Sequence, residues 1–329
     1  MNNISNSFKI AFTSLQRNKA RTLLTVLGIV IGIGAVIIVL SAGGAIKTLI
    51  VGELESFGTN IIQVEVKTPQ TSQTSTANSF SMVGGSVITS LKEADGIALA
   101  KHENAKRFYA GVMGQELASY ESEFKKAMLF GTSASFIDID ASTVEYGRFY
   151  TEEENQGLSK VTVLGFKLNK SLFGDGDSLG QSIKIGKEKF TVIGVLEERG
   201  ASFSLDMDNM AFMPLRTLQK RLLGVDYVSF MIIELYDQNK ADATADDFIY
   251  TLRQNHKITD PDKDDFAVTT MEQMMNMVGV VITGIQFLLI ALGSISLIVG
   301  GVGIMNIMYV SVTERTFEIG LRKSLGAKY

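Results

Sequence analysis

Two long stretches without a charged side chain, one near each end, constrain this chain more than any other feature. Residues 22–46, between Arg21 and Lys47, hold no charge, and neither do residues 273–313, between Glu272 and Glu314. A bilayer core takes about 20 apolar residues of helix. The first stretch is long enough to span once. The second is too long for one span and holds no turn signal that would divide it into two. One continuous helix accounts for it, with its lower part in lipid and its upper part outside; at about 1.5 Å per residue it reaches roughly 60 Å, about twice the hydrocarbon thickness. The expected fold class is a membrane protein in which two transmembrane α-helices flank an α+β extracytoplasmic domain, the second helix being extended into a stalk.

Charge sets the orientation. Residues 1–21 carry Lys9, Arg17, Lys19 and Arg21 and no acid, and residues 314–329 carry four bases against Glu314 and Glu318. The middle, from Lys47 to Glu272, is net −10. Basic flanks stay in the cytoplasm, so both termini are expected inside the cell membrane and the middle outside it. An acidic outer domain gives no reason to expect nucleic acid. The chain has no cysteine, which excludes a disulfide framework and thiolate metal sites. The first apolar run is too long for a cleavable signal and lacks a small-residue cleavage site.

These patterns divide the chain into a cytoplasmic amphipathic helix (1–21), a first membrane helix (22–46), an outer domain (47–270), a stalk with the second membrane helix (271–313) and a cytoplasmic segment (314–329). Phe8, Phe12 and Leu15 make a helical stripe that either lies in the membrane interface or extends the first membrane helix into the cytoplasm. Gly28 and Gly32 form a small-xxx-small pair, and Gly300, Gly301 and Gly303 recur in the second helix; small residues let membrane helices approach closely.

In the outer domain, Asn60–Val66 alternates as a strand and 68–90 is a polar loop. Ser90 to Glu93 and Thr151 to Glu154 have the form of capping boxes. Arg107–Ser119 pairs with Phe124–Phe130, and Gln181–Ile185 with Lys189–Leu196 across Gly186-Lys187. Val161–Leu164, Val228–Leu235 and Phe266–Val268 are further strands, Ala241–Gln254 is an amphipathic helix, and Asp260–Asp265 is an exposed loop. Thr269 to Glu272 caps the second long helix. Met271, Met274, Met275 and Met277 read as packing residues, because Met without His or Cys is a poor ligand set.

No catalytic constellation is present, and the chain is not expected to be an enzyme. The G-x-x-x-x-G-K-[ST] phosphate cradle is missing. His102 and His256 stand far apart, each in a charged surface context. Asp175 and Asp177 read as a turn rather than a calcium loop. The informative element is Glu314 to Gly326. Phe317, Leu321 and Leu325 recur every four residues as an apolar stripe, Glu318 and Arg322 form a favourable i,i+4 pair, and Gly326 stands where a helix would end. An amphipathic tail on lipid is the plainer reading, but the mixed charge suits a protein groove better.

The chain resembles ABC transporter permeases of the MacB/FtsX-like family. The resemblance runs over essentially its whole length. It rests on Leu15 to Lys19, Arg21 to Gly32, Gly147-Arg-Phe149, Leu172 to Gly174, Leu179 to Ile183, Phe190 to Val195 and, most specifically, Gly301 to Ala327. It implies a MacB-type outer core domain with a porter-like part and a strand-rich insert at about 110–225. It implies that Glu314, Arg315, Phe317, Glu318, Gly320, Leu321, Arg322, Lys323, Leu325 and Gly326 form a coupling helix that docks on an ABC ATPase subunit. ATP is then hydrolysed on that partner, with no cofactor in this chain, and the outer domain moves for export or extraction of a substrate. A homodimer or paired permease, a periplasmic adaptor and membrane lipid are the other partners implied. Family members continue with two more membrane helices beyond the point where this sequence stops. The competing expectation is a membrane-anchored interaction protein without transport.

Overall fold

The computed structural model describes residues 60–67 and 89–326 apart from 141, 175 and 201–205, together with a discontinuous set between 27 and 52. The expected helix at 1–21, Gly28 and most of the polar stretch at 68–90 lie outside the described residues. The chain divides into two compact units, Ile50–Asn276 and Met1–Leu49 with Met277–Tyr329.

The helices are α1 (Val30–Ile46), α2 (Glu93–Leu99), α3 (Phe136–Ile139), α4 (Glu152–Gln156), α5 (Phe166–Phe173), α6 (Leu215–Thr217), α7 (Ala241–His256) and α8 (Met271–Ser324). The strands are β1 (Ile61–Val66), β2 (Ala105–Tyr120), β3 (Glu123–Thr132), β4 (Val144–Gly147), β5 (Val161–Leu164), β6 (Ser182–Ile185), β7 (Glu188–Leu196), β8 (Met210–Pro214), β9 (Phe230–Leu235) and β10 (Phe266–Thr270).

Strands β10, β1, β9 and β2 lie side by side in that order, each antiparallel to its neighbour. With α2 between β1 and β2, and α7 between β9 and β10, this is the split β-α-β arrangement of ferredoxin-like folds. Successive strand residues point to opposite faces. Ile62, Val64 and Val66 therefore share one core with Leu99, Phe248 and Leu252 of the two helices. Ile61 joins Tyr109, Ile232, Phe136 and Met271 in a second core on the other face. Phe130, Phe136 and Phe212 anchor that second core, with ring centroids 5.6–5.7 Å apart.

β2 has 16 residues and outruns β9. Beyond Gly111 it pairs with β3, and the sheet continues through β8, β5 and β7. β6 pairs with β7 and returns to β2 at Ala118↔Ile185 and Ser119↔Lys184. Six strands thus close on themselves, which leaves them no open edge to template aggregation. β2 is shared by both parts, and β3 to β8 are inserted between it and β9, the second and third strands of the ferredoxin-like unit.

Several local expectations shift. α2 starts at Glu93, where Asp95 Oδ2 accepts from the Lys92 N–H (2.9 Å); the sequence pattern had placed the cap at Ser90. For α8, Thr270 Oγ1 accepts from the Gln273 N–H (3.2 Å), one residue later than the expected Thr269 cap. The Thr151–Glu154 capping box forms as expected. β4, β8 and α5 are additional. All five residues of β8 are buried, so it shows no alternation to read. His256 is not in a surface context: its side chain is only 8% exposed. The end of the Asp260–Asp265 loop is likewise tied down, with Asp264 accepting from Arg253 Nη2 at 2.7 Å.

Candidate coupling surface and helix pair

α8 is a single helix of 54 residues. No proline interrupts it, and it runs through 313–314 without a break, so residues 314–324 continue it rather than forming the separate segment expected at 314–329. Its stretch Met271–Val310, in which the most apolar 18-residue window has a mean hydropathy of 2.4, is among the described residues the one helix long and apolar enough to cross a membrane. The apolar helix Val30–Ile46 is shorter.

Near the C-terminal end of α8, Phe317 is 83% exposed, Leu321 53% and Leu325 81%. Four-residue spacing puts them on one helical face. Arg322 Nη2 donates to Glu318 Oε1 at 2.9 Å beside that face. Both side chains are mostly exposed, so the pair contributes only about 0.3–0.5 kcal/mol of stability, and its larger effect is to fix where the guanidinium stands. The helix closes with the Gly326 N–H donating to Lys323 O (3.1 Å) and Gly326 at φ +88°, a left-handed conformation that suits glycine. An exposed apolar stripe with a paired polar flank can lay itself into a groove on another protein.

Above this end, the packed face of α8 follows an alternating four-three spacing: Ile282, Gln286, Leu289, Gly293, Ser296, Gly300 and Gly303 are the buried or half-buried positions from 282 to 303. That spacing is the seam of a helix pair. The partner is α1. A Cβ on Gly32 would lie 3.1 Å from Leu297 Cγ, and one on Gly43 would overlap Gln286 Nε2 and lie 3.0 Å from Gln286 Cδ. Moving from 32 to 43 on α1 moves from 297 to 286 on α8, so the helices run antiparallel in strict step. A Cβ on Gly301 would meet nothing within 4 Å, so that glycine faces away from the seam. From sequence, Gln286 with Gln273 and Asn276 reads as a polar position of a protein-packed stalk; Gly43 as its seat escaped that reading.

In the outer unit the charged groups cross-link elements. His256 Nδ1 lies 2.8 Å from Asp265 Oδ1 and Nε2 lies 3.3 Å from Asp95 Oδ2. Hydrogen bonds to Asp265 and Asp95 push the imidazole up to about 9 against the opposing effect of burial. Burial raises Asp95, but bonds from His256 and the Lys92 N–H outweigh it and hold the carboxyl below its ordinary value. Arg148 clamps Glu154 through two bonds of 2.7 Å. Among the described residues no cluster of three His, Cys, Asp or Glu could hold a metal.

Residues 22–249 match the family described as the MacB-like periplasmic core domain. The chain is 33% identical over 324 residues to the macrolide export ATP-binding/permease protein MacB of Bdellovibrio bacteriovorus, covering 96% of this chain and 48% of that protein. It is 32% identical over 324 residues to the pyoverdine export ATP-binding/permease protein PvdT of Pseudomonas syringae pv. syringae, covering 98% and 47%. The chain thus spans about half the length of the curated relatives it matches. Among solved structures it is similar to the periplasmic region of MacB from Actinobacillus actinomycetemcomitans, with TM-score 0.57 and 18% identity over 69% of this chain and 95% of that one. It also resembles the extracellular domain of the ABC-type transporter YknZ from Gram-positive bacteria, with TM-score 0.52 and 19% identity over 64% and 100%. At these identities the structural likeness is one of fold.

Proposed function

We propose, from the premise that this chain belongs to the MacB-like periplasmic core domain family, that it is the permease part of an ABC exporter. In this reading ATP is bound and hydrolysed on an ABC ATPase subunit, and the chain itself carries no catalytic step. Residues 22–46 and the lower part of 271–313 cross the membrane, both termini are cytoplasmic, and residues 47–270 form the outer domain with its insert at about 110–225. The charge distribution supports this orientation: basic ends and a middle of net −10.

The observation that carries the reading is the exposed stripe of Phe317, Leu321 and Leu325 at the end of a helix that reaches back unbroken to Met271 at the outer core. The backbone hydrogen bonds of a helix make it stiff along its axis, so a displacement applied at Glu314–Gly326 reaches the outer domain. Glu318, Gly320 and Arg322 flank the stripe, and Arg315 and Lys323 add positive charge to the same helix end in this reading. Closure of the ATPase dimer would move the outer domain, and the exported molecule need not pass between α1 and α8.

The test places a photo-cross-linking residue at Phe317 in the full chain in its native membrane. Recovery of a Walker-bearing ATPase, with a yield that changes on ATP addition, is expected. Recovery of lipid alone would overturn the docking role and leave the interaction-protein reading in its place.

A further inference from the structure

We infer that Gln286, seated on Gly43, is the register pin of the α1–α8 pair, the polar contact that decides which turn of α1 faces which turn of α8. This rests on the reading of α1 and α8 as a membrane-crossing pair. Below Gln286 the seam holds Leu289 and then mostly small residues, with Leu297 against Gly32 beside it; these apolar contacts discriminate less between registers than a polar side chain does. Gly293, Ser296, Gly300 and Gly303 are small, and Ser296 donates its hydroxyl to Leu292 O of its own helix (3.3 Å). Such a seam packs closely but smoothly, because a shift of one turn sets small residues against a similar surface. Gln286 is different. It is the one long polar side chain among the seam positions 282–303, and its amide occupies the space that a Cβ at position 43 would take. One turn toward the N-terminus of α1 the same face offers half-buried Val39, whose branched side chain leaves no such space. One polar residue in an otherwise apolar helix seam is a known way to set register.

The consequence is a discrete step. Helices can move past one another in jumps of one turn, about 5.4 Å. With Gln286 in its notch, an axial displacement of α8 along α1 is resisted at one residue, and the next seat must be found a turn away. Gln286 is therefore a positioning residue: it takes no part in binding cargo or ATP, and it sets the resting state from which the helix pair is driven.

The absence of cysteine makes the test direct. Ile31 and Met308 are 55% and 60% exposed and, by the same antiparallel step, stand ten residues or roughly 15 Å apart along the pair, so spin labels on Ile31→Cys and Met308→Cys report an axial slip without filling the seam. In the full chain reconstituted in phosphatidylcholine–phosphatidylglycerol vesicles, the parent should give one narrow distance distribution. Gln286→Ala should add a second population about 4 Å away, the projection of a one-turn slip on the line between the labels, with helix content unchanged. Moving the notch should move the register: Gly43→Ala with Val39→Gly should shift the main distance by the same amount, while Gly43→Ala alone should broaden it. A single unchanged distribution in both Gln286→Ala and the relocated-notch variant overturns the pin. Accessibility of the same labels to oxygen and to a nickel chelate reads the membrane assignment separately. Water-exposed labels with a broadened Gln286→Ala distribution keep the pin and overturn the membrane-crossing reading, whereas lipid-exposed labels with an unchanged distribution do the reverse.

Discussion

Gly147 and Gly194 face each other across β4 and β7 with no room for a side chain on either. A Cβ on Gly147 would overlap Ile193 O and lie 2.9 Å from Gly194 Cα; one on Gly194 would overlap Arg148 O. Gly147 also sits at φ +81°, where a side chain is strained. The obstructing atoms are backbone, so they cannot swing aside. Gly147→Ala and Gly194→Ala are each expected to destabilise the outer unit by more than about 2 kcal/mol, read as a lowered urea midpoint. Gly279→Ala is the control. It lies in α8 with nothing within 4 Å of its Cβ and should be neutral or stabilising by up to about 1 kcal/mol.

The strand that crosses there delivers Arg148 to the start of α4. Thr151 and Glu154 exchange side-chain-to-backbone bonds (3.4 and 2.9 Å), and Arg148 holds the same Glu154 carboxylate. Thr151→Ala should cost about 1 kcal/mol through the lost cap. Arg148→Ala should cost less, roughly 0.5 kcal/mol, because its side chain is 54% exposed and water screens the pair. Glu154→Ala should cost more than either, since it removes the cap partner and the ion-pair partner together. Denaturation of the three variants and of the Arg148/Glu154 double variant checks the order.

His256 gives the outer unit a pH window. Its folded value, about 9, lies above the ordinary 6.5, so its contribution is complete below about pH 6.5 and is lost as pH rises through 9. Asp95 and Asp265 are held below 3.8, so their contribution is complete above about pH 3.8 and fades as pH falls further. The midpoint of denaturation should be highest between about pH 4 and 6.5 and should decline on the alkaline side. In His256→Asn the alkaline decline should flatten. An unchanged alkaline slope in that variant would assign the decline to other groups.

At the other end of the chain, Leu321→Asp puts a charge into the apolar stripe. Stripe residues that anchor a docked helix commonly account for 2 kcal/mol or more of binding, so recovery of the ATPase is expected to fall at least about 30-fold, read by quantitative pull-down from membranes. Glu318→Gln breaks only an exposed pair and should change stability by less than about 0.5 kcal/mol. The urea midpoint of the outer unit should be unchanged in both.

Part of this arrangement was legible in the residues. The β6–β7 hairpin, expected at 181–185 and 189–196, forms at Ser182–Ile185 and Glu188–Leu196, because alternation and a Gly186 turn are local signals. The continuity of α8 followed from an uninterrupted apolar run without proline. The flanking strands β2 and β3 were visible for the same reason. The capping positions of α2 and α8 were displaced by one to two residues, since several Ser, Thr and acidic residues compete at each start and the tertiary fit selects among them.

What the amino-acid order determined alone was therefore periodicity and charge: the helices and strands that carry a clear local pattern, the segments apolar enough for lipid, and the basic ends. Those properties depend on neighbours a few residues away. Only the tertiary structure decided that β6 returns to β2 through Ala118↔Ile185, that β8 runs parallel to β3 in the buried centre, that His256 is held between Asp95 and Asp265, and that Gln286 rests on Gly43. Each joins residues distant in sequence. Their pairing is set by shape and desolvation once the chain has collapsed, and no local pattern encodes it.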